Sequence, residues 1–295
     1  MYEQFYKLRE LPFALTPDPA FLFRTPQHGF ALDMLRYGVM SGSGFCLLTG
    51  EVGCGKTLVV RELLESMADD VSIGLLNNLT SQSGRLLQWV NLAFGLDHTA
   101  PDEVTLYRRF ERFLVDNYAE GKRAVLVVDE AQNLAPDMLE QLRVLSNVNS
   151  GKHVVLQTFL VGQPELLNTL RSPELRQFAQ RINIEYRIGP LNPKDTLAYV
   201  RHRLTVAGGD PELFAVGAVA AAFQASRGVP RLINQLCDTA LVYGYAEQQE
   251  RIDKELMDEV IRGRRAGKIF PGKLARREPA RRTRGPTEAK PASTG

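Results

Sequence analysis

The stretch "LLTGEVGCGKTLVVREL", residues 47–63, constrains the fold more than any other part of the chain. An apolar run stops at Gly50, glycines recur at 53 and 55, and Lys56-Thr57 lead back into apolar residues. That order reads as a strand, a turn needing backbone freedom, and a helix. The residues fit G-x-x-x-x-G-K-[ST] as Gly50, Gly55, Lys56 and Thr57, with Glu51, Val52, Gly53 and Cys54 between them. Such a loop turns its N–H groups toward one anion, and a helix beginning near Lys56 adds its positive end. The lysine suits β- and γ-phosphate charge, and the threonine hydroxyl suits Mg²⁺. A glycine-rich turn with a snorkelling lysine is the ordinary alternative, and the strand-before, helix-after context argues against it. A nucleotide site is expected here, and Cys54 inside it is expected to alkylate unless nucleotide covers it.

The rest of the first two thirds supports an α/β fold. "GFCLLTG" (44–50), "VSIGLLN" (71–77), "RAVLVVD" (123–129), "HVVLQTFLVG" (153–162) and "INIEYRI" (182–188) read as strands. Between them, Leu106, Phe110, Phe113 and Leu114, and then Met138, Leu142 and Leu145, recur at helical spacing. Strands alternating with helices predict a parallel sheet covered on both faces. Asp129 and Glu130 follow a wholly apolar strand, and ligands in such sheets bind at the strands' carboxyl ends. Asp129 is expected to hold Mg²⁺ through water and Glu130 to polarise an attacking water. The alternative is an acidic helix N-terminus. The next strand runs into Gln163, a polar group suited to orienting water or γ-phosphate. After Pro190 the pattern turns helical: Asn192 offers an N-cap with Pro193 behind it, and three more helical stretches follow. The expected division is an α/β core over 1–190, a helical domain over 191–262, and a tail over 263–295.

That tail splits the charge. Residues 262–295 carry 11 Lys and Arg against 2 Asp and Glu, whereas the remainder carries 25 against 32. Few apolar residues interrupt the tail, so it reads as disordered. DNA phosphates or anionic lipid are two partners such a tail suits, and a solvated end without partner is the third reading. Cys46, Cys54 and Cys237, and the four histidines, are scattered without metal-site spacing, so all seven read as structural or incidental. No apolar run approaches the length of a membrane helix, and "MYEQFYKLRE" lacks the plan of a secretory signal. The expected location is the cytoplasm, peripheral at the inner membrane only through a partner.

Taken together, "PFALTPDPAFLF", "GEVGCGKT", "DEAQNL", "LVGQPEL", "LRQFAQRI" and "GVPRLINQLCDTAL" resemble the AAA+ ATPases of the initiator-like clade. More narrowly, they resemble the ExeA/GspA-type general secretion ATPases, over roughly residues 1–262. The resemblance implies a P-loop fold with a helical lid, ATP and Mg²⁺ as ligands, hydrolysis, and assembly into homo-oligomers acting on a partner of an envelope or export system. It implies sensor roles for Gln163 and Arg231, a finger role in a neighbouring subunit for Arg181, and a position near the adenine for "FALTPDP". The ordinary alternative for each arginine is a surface ion pair, which is preferred for Arg176. ExeA-type proteins typically continue into a membrane helix and a peptidoglycan-binding module, where this sequence has the basic tail. The second functional reading is a DNA-associated regulator resembling the TniB-type transposition ATPases. A helicase is set aside, because no second α/β domain follows residue 190.

Overall fold

A computed structural model describes residues 1–265 apart from 17, 68, 69, 78, 80–84, 101, 151 and 152. The chain begins with a short helix, α1 (Tyr2–Phe5), an irregular strap, and α2 (Pro26–Ser41), which starts on the Thr25 side-chain cap. Strand β1 (Phe45–Gly50) leads through the glycine loop into α3 (Lys56–Glu65). Then come β2 (Val71–Leu76), α4 (Leu86–Ala93), α5 (Glu103–Ala119) and β3 (Arg123–Val128). After α6 (Pro136–Leu145), the two-residue strands β4 (Asn149–Ser150) and β5 (His153–Val154) precede β6 (Leu156–Gly162). The short helices α7 (Glu165–Leu170) and α8 (Arg176–Ala179) bring the chain to β7 (Ile182–Ile188).

Five strands form one parallel sheet in the order β2-β3-β6-β1-β7. Alternation along the strands explains why both faces are covered. Phe45, Leu47, Leu126, Val128 and Leu160 pack with α4, α5 and α6, whereas Cys46, Leu48, Val127, Phe159 and Val161 pack with α2 and α3. The fourth predicted strand starts late. Leu156 is the first β6 residue with a partner in β3, opposite Ala124, and β3 itself begins at Arg123. His153-Val154 therefore have no strand beside them in the sheet and pair antiparallel with Asn149-Ser150 instead.

Beyond β7 the described residues are helical, as the N-cap at Asn192 and the prolines predicted. Asn192 accepts the Asp195 N–H at 2.8 Å and starts α9 (Pro193–Val206). Then follow α10 (Val216–Ser226), α11 (Pro230–Ala246) and α12 (Lys254–Arg265). Among the described residues, one isolated bridge, Phe214 to Ile252, is the nearest approach to a strand there. These helices have their own core, and the strap joins it: Tyr2, Tyr6, Leu8, Phe13 and Phe21 are buried with Leu204, Phe214, Leu236 and Leu241. These side chains of the first 23 residues thus pack on the helical part rather than on the sheet that follows them in sequence. Their aromatic side chains carry too much apolar area to lie in water, and the helices offer the open apolar face. The basic tail past Arg265 lies outside the described residues.

Candidate functional site

The glycine loop lies at the carboxyl end of the sheet, under the start of α11. Gly53 and Gly55 adopt φ of 81° and 89°, which suits glycine and few other residues. Close approach forbids a side chain as well. A Cβ on Gly53 would stand 2.4 Å from Arg231 Cβ, and one on Gly55 would stand 2.9 Å from His28 Nε2. The loop is therefore gripped from two sides, by α11 and by α2. Lys56, only 5% exposed, donates its ammonium to the carbonyls of Gly50 at 2.9 Å and Glu51 at 3.1 Å. It spans the mouth of the loop, and it has no carboxylate partner within 4 Å among the described residues. Glu51 at the rim faces Arg187 at 3.7 Å, both exposed.

Thr57 Oγ1 donates to Asp129 Oδ2 at 2.8 Å, tying the first turn of α3 to the end of β3. The next residue, Glu130, sits at φ 54° in the left-handed region. For a residue with a side chain this costs about 1–3 kcal/mol, so the surroundings must hold it. They do: the Glu130 N–H donates to Asp129 Oδ1 at 2.9 Å. Glu130 Oε2 accepts from Gln132 Nε2 at 2.5 Å and from Gln163 Nε2 at 3.4 Å. Gln132 Oε1 in turn accepts the Gln163 N–H at 2.9 Å. The sequence singled out Glu130 and Gln163; Gln132, which fastens both, carried no signal beyond its place two residues after the acid.

A cavity of about 310 Å³ opens over the loop, with Gly53, Lys56, Thr57 and Glu130 on one wall and Arg231 and Asn234 of α11 on another. The strap forms a third wall through Ala14, Leu15, Thr16 and Asp18, the segment expected near an adenine. Arg203 of α9 holds that strap in place. It is 7% exposed, donates to the carbonyls of Pro12 and Ala14 and to the Tyr199 hydroxyl, and lies 4.6 Å from the Phe21 ring centre. Tyr199 passes the chain on to Asn234 Oδ1 at 2.7 Å. Nothing in the sequence marked Arg203, because the strap carbonyls it holds lie 191 and 189 positions away.

The structure brings Lys56, Thr57, Asp129, Glu130, Gln163 and Arg231 to one end of the sheet and leaves Arg181 at the other. Gly50 of β1 pairs with Ile188 of β7, and Phe45 with Ile182, so Arg181 stands level with the start of β1. It is exposed and donates to Ser146 Oγ at 3.4 Å. Among the described residues, neither Arg176, Arg181 nor Arg231 has an acid within 4 Å, so the surface ion pair preferred for Arg176 is not present. One other expectation changes. Cys54 is 1% exposed, and burial pushes its thiol pKa up, with the Lys56 charge pulling only partly back; the expected ready alkylation does not fit. His28, read as structural or incidental, is buried against the loop. Among the described residues, no helix is long and apolar enough to cross a membrane.

Comparison with known proteins agrees with this geometry. Residues 39–170 match the family model of the AAA domain. Over 253 residues the chain is 43% identical to general secretion pathway protein A of Aeromonas hydrophila, covering 85% of this chain and 46% of that protein. The chain thus spans just under half the length of that relative. Among solved structures, the fold is similar to the ORC2 protein of Aeropyrum pernix in its ADPNP–ADP complexes, with TM-score 0.60, 16% identity, and coverage of 85% of this chain and 71% of that one. Cdc6p of Pyrobaculum aerophilum gives TM-score 0.61 at 15% identity, over 82% of this chain and 67% of that one. Residues 39–170 thus match the AAA domain family, the chain folds like the ORC2 and Cdc6p structures, and general secretion pathway protein A is a sequence relative over 85% of the chain.

Proposed function

We propose that the protein binds ATP with Mg²⁺ at residues 50–57, hydrolyses it, and acts as a homo-oligomer on a partner complex of a secretion or envelope export system. The observation that carries this reading is the Thr57–Asp129 bond beside Glu130, which puts a hydroxyl and two carboxylates next to an anion-binding loop. A hydroxyl and a carboxylate are the hard oxygen donors Mg²⁺ takes. Among the described residues, no group of three or more His, Cys, Asp or Glu makes a self-sufficient metal site. When bound, the ion neutralises charge on the β- and γ-phosphate oxygens.

In this reading Lys56 exchanges its two loop carbonyls for phosphate oxygens. Glu130 accepts a proton from the attacking water, and Gln132 and Gln163 hold its carboxylate in position. Arg231, carried by the helical lid over 191–262, closes on the phosphates from α11. Arg181 serves a neighbouring copy, which makes turnover depend on assembly. The name of the Aeromonas hydrophila relative supports the secretion side of the reading, with the chain working at the cytoplasmic face of the inner membrane through its partner. The basic tail is what favours the alternative, a DNA-associated ATPase regulator.

Steady-state ATP turnover of the full chain, with and without duplex DNA at fixed salt, tests both. Turnover that a Glu130→Gln change removes and DNA leaves untouched supports the export reading. Several-fold stimulation by DNA that vanishes without residues 263–295 favours the alternative, and no turnover under any condition ends both.

A further inference from the structure

His28 is 8% exposed, lies on the first turn of α2, and uses both ring nitrogens. Nδ1 is 2.6 Å from Thr25 Oγ1, the capping oxygen of α2, and Nε2 is 3.0 Å from the carbonyl oxygen of Cys54 in the phosphate loop. A carbonyl only accepts, so Nε2 carries the N–H that donates to it, and Nδ1 accepts a hydrogen bond from the Thr25 hydroxyl. The Cys54–Gly55 peptide is trans, so its N–H points opposite to its carbonyl. Holding the Cys54 oxygen toward α2 therefore turns the Gly55 N–H away from His28. The same ring occupies the space a Gly55 side chain would need.

We infer that His28 is a positioning residue for the phosphate loop, fixing the Cys54–Gly55 peptide so that the Gly55 N–H faces the bound phosphate. This rests on the proposed nucleotide site and adds to it a residue outside the glycine–lysine motif. A loop peptide left free to rotate can present its carbonyl to the phosphate, so affinity falls with the population held in the correct orientation. The effect belongs to the phosphate end of the ligand. It should be the same for ATP and for inorganic triphosphate, which has no base to touch the strap.

The test is isothermal titration of the full chain with MgATP and with inorganic triphosphate, for the wild type and three variants. His28→Gln places an amide N–H near the position of Nε2 and keeps the donor to Cys54. His28→Asn places its polar end near Nδ1, so it keeps the Thr25 contact alone, and His28→Leu keeps only bulk. The expected result is affinity lowered about tenfold in the Asn and Leu variants for both ligands, and restored to within about threefold by Gln. Melting of the unliganded chain should be alike for Gln and Asn, so a folding defect is read separately. Rescue by Asn but not Gln would reduce His28 to a support of the α2 cap and overturn the inference, as would unchanged affinity in all three. A loss for ATP without loss for triphosphate would place its effect on the strap and also overturn it. If the wild type binds neither ligand, the nucleotide reading itself falls, and this inference with it.

Discussion

The two ends of the sheet are built differently. At the carboxyl end, Thr57, Asp129, Glu130, Gln132 and Gln163 are linked by side-chain and backbone hydrogen bonds, and Lys56 and His28 are fastened to the loop. At the amino end, Arg181 stands exposed, and among the described residues its side chain makes one bond, to Ser146 at 3.4 Å. A mutually fastened cluster has its geometry set within one chain and costs little reorganisation when a charged ligand arrives. An exposed guanidinium with one weak tie is not committed to its own chain. The contrast is what the proposed function asks for, a site complete for binding in one copy and completed for turnover by another.

The largest effect on binding should come from the fastened end. Lys56→Ala removes the cation that spans the loop mouth, and MgATP affinity should fall by about 100-fold or more in isothermal titration; retained affinity would break the assignment of this end. Arg181→Ala should leave MgATP affinity unchanged and lower turnover by about 10³-fold. Glu130→Gln should also keep binding and lose about 10²–10⁴ in turnover. Mixing the two inactive chains sharpens the contrast. A site with an intact Glu130 can then meet an intact Arg181 from its neighbour, and part of the activity should return. Mixtures as inactive as their components would return Arg181 to its own chain.

How legible each end was follows from the kind of contact it uses. The placement of the loop, its strand and helix, and the acidic pair was readable because the proposed function needs particular residue types at fixed local spacing: glycine where φ is positive, lysine next, acids directly after an apolar strand. The sheet was readable from β-rich runs, except where β6 begins, since that depends on where β3 starts and not on the residues of 153–155. Gln132, His28 and Arg203 were not readable. Each acts through a contact distant in sequence, or through a backbone carbonyl that leaves no trace in residue type. The packing of the strap on the helices was hidden for the same reason: aromatic residues announce burial but not the surface that buries them.

Arg203 gives a smaller prediction, and it mirrors that for His28. Arg203→Met keeps the length of the side chain but drops the bonds to Pro12 and Ala14 and the ring contact with Phe21. Without them the strap wall of the cavity loosens while the loop stays fastened to α2. ATP affinity should fall about tenfold and affinity for inorganic triphosphate should not change. Stability in urea unfolding should drop by about 2–3 kcal/mol, the scale of lost hydrogen bonds to a charged donor. A loss for both ligands would mean that the strap and the loop move as one, and the two walls could no longer be treated separately.

Cys54 carries the smallest expected effect. It lies in the middle of the loop, so its position in sequence suggests a thiol that nucleotide would shield. Its side chain instead points into the core under the sheet with Leu35, Val59 and Val161, and burial raises its pKa. Alkylation requires the thiolate and access to it, and the folded loop supplies neither. Iodoacetamide at neutral pH should leave Cys54 unlabelled to the same extent with and without MgATP, read by peptide mass spectrometry, while unfolding in urea should expose it. Rapid labelling that MgATP suppresses would show that the unliganded loop swings away from α2 and opens its underside. In that case the fastening at the carboxyl end would be a property of the nucleotide-bound chain alone, and the difference between the two ends would be one of ligation rather than of construction.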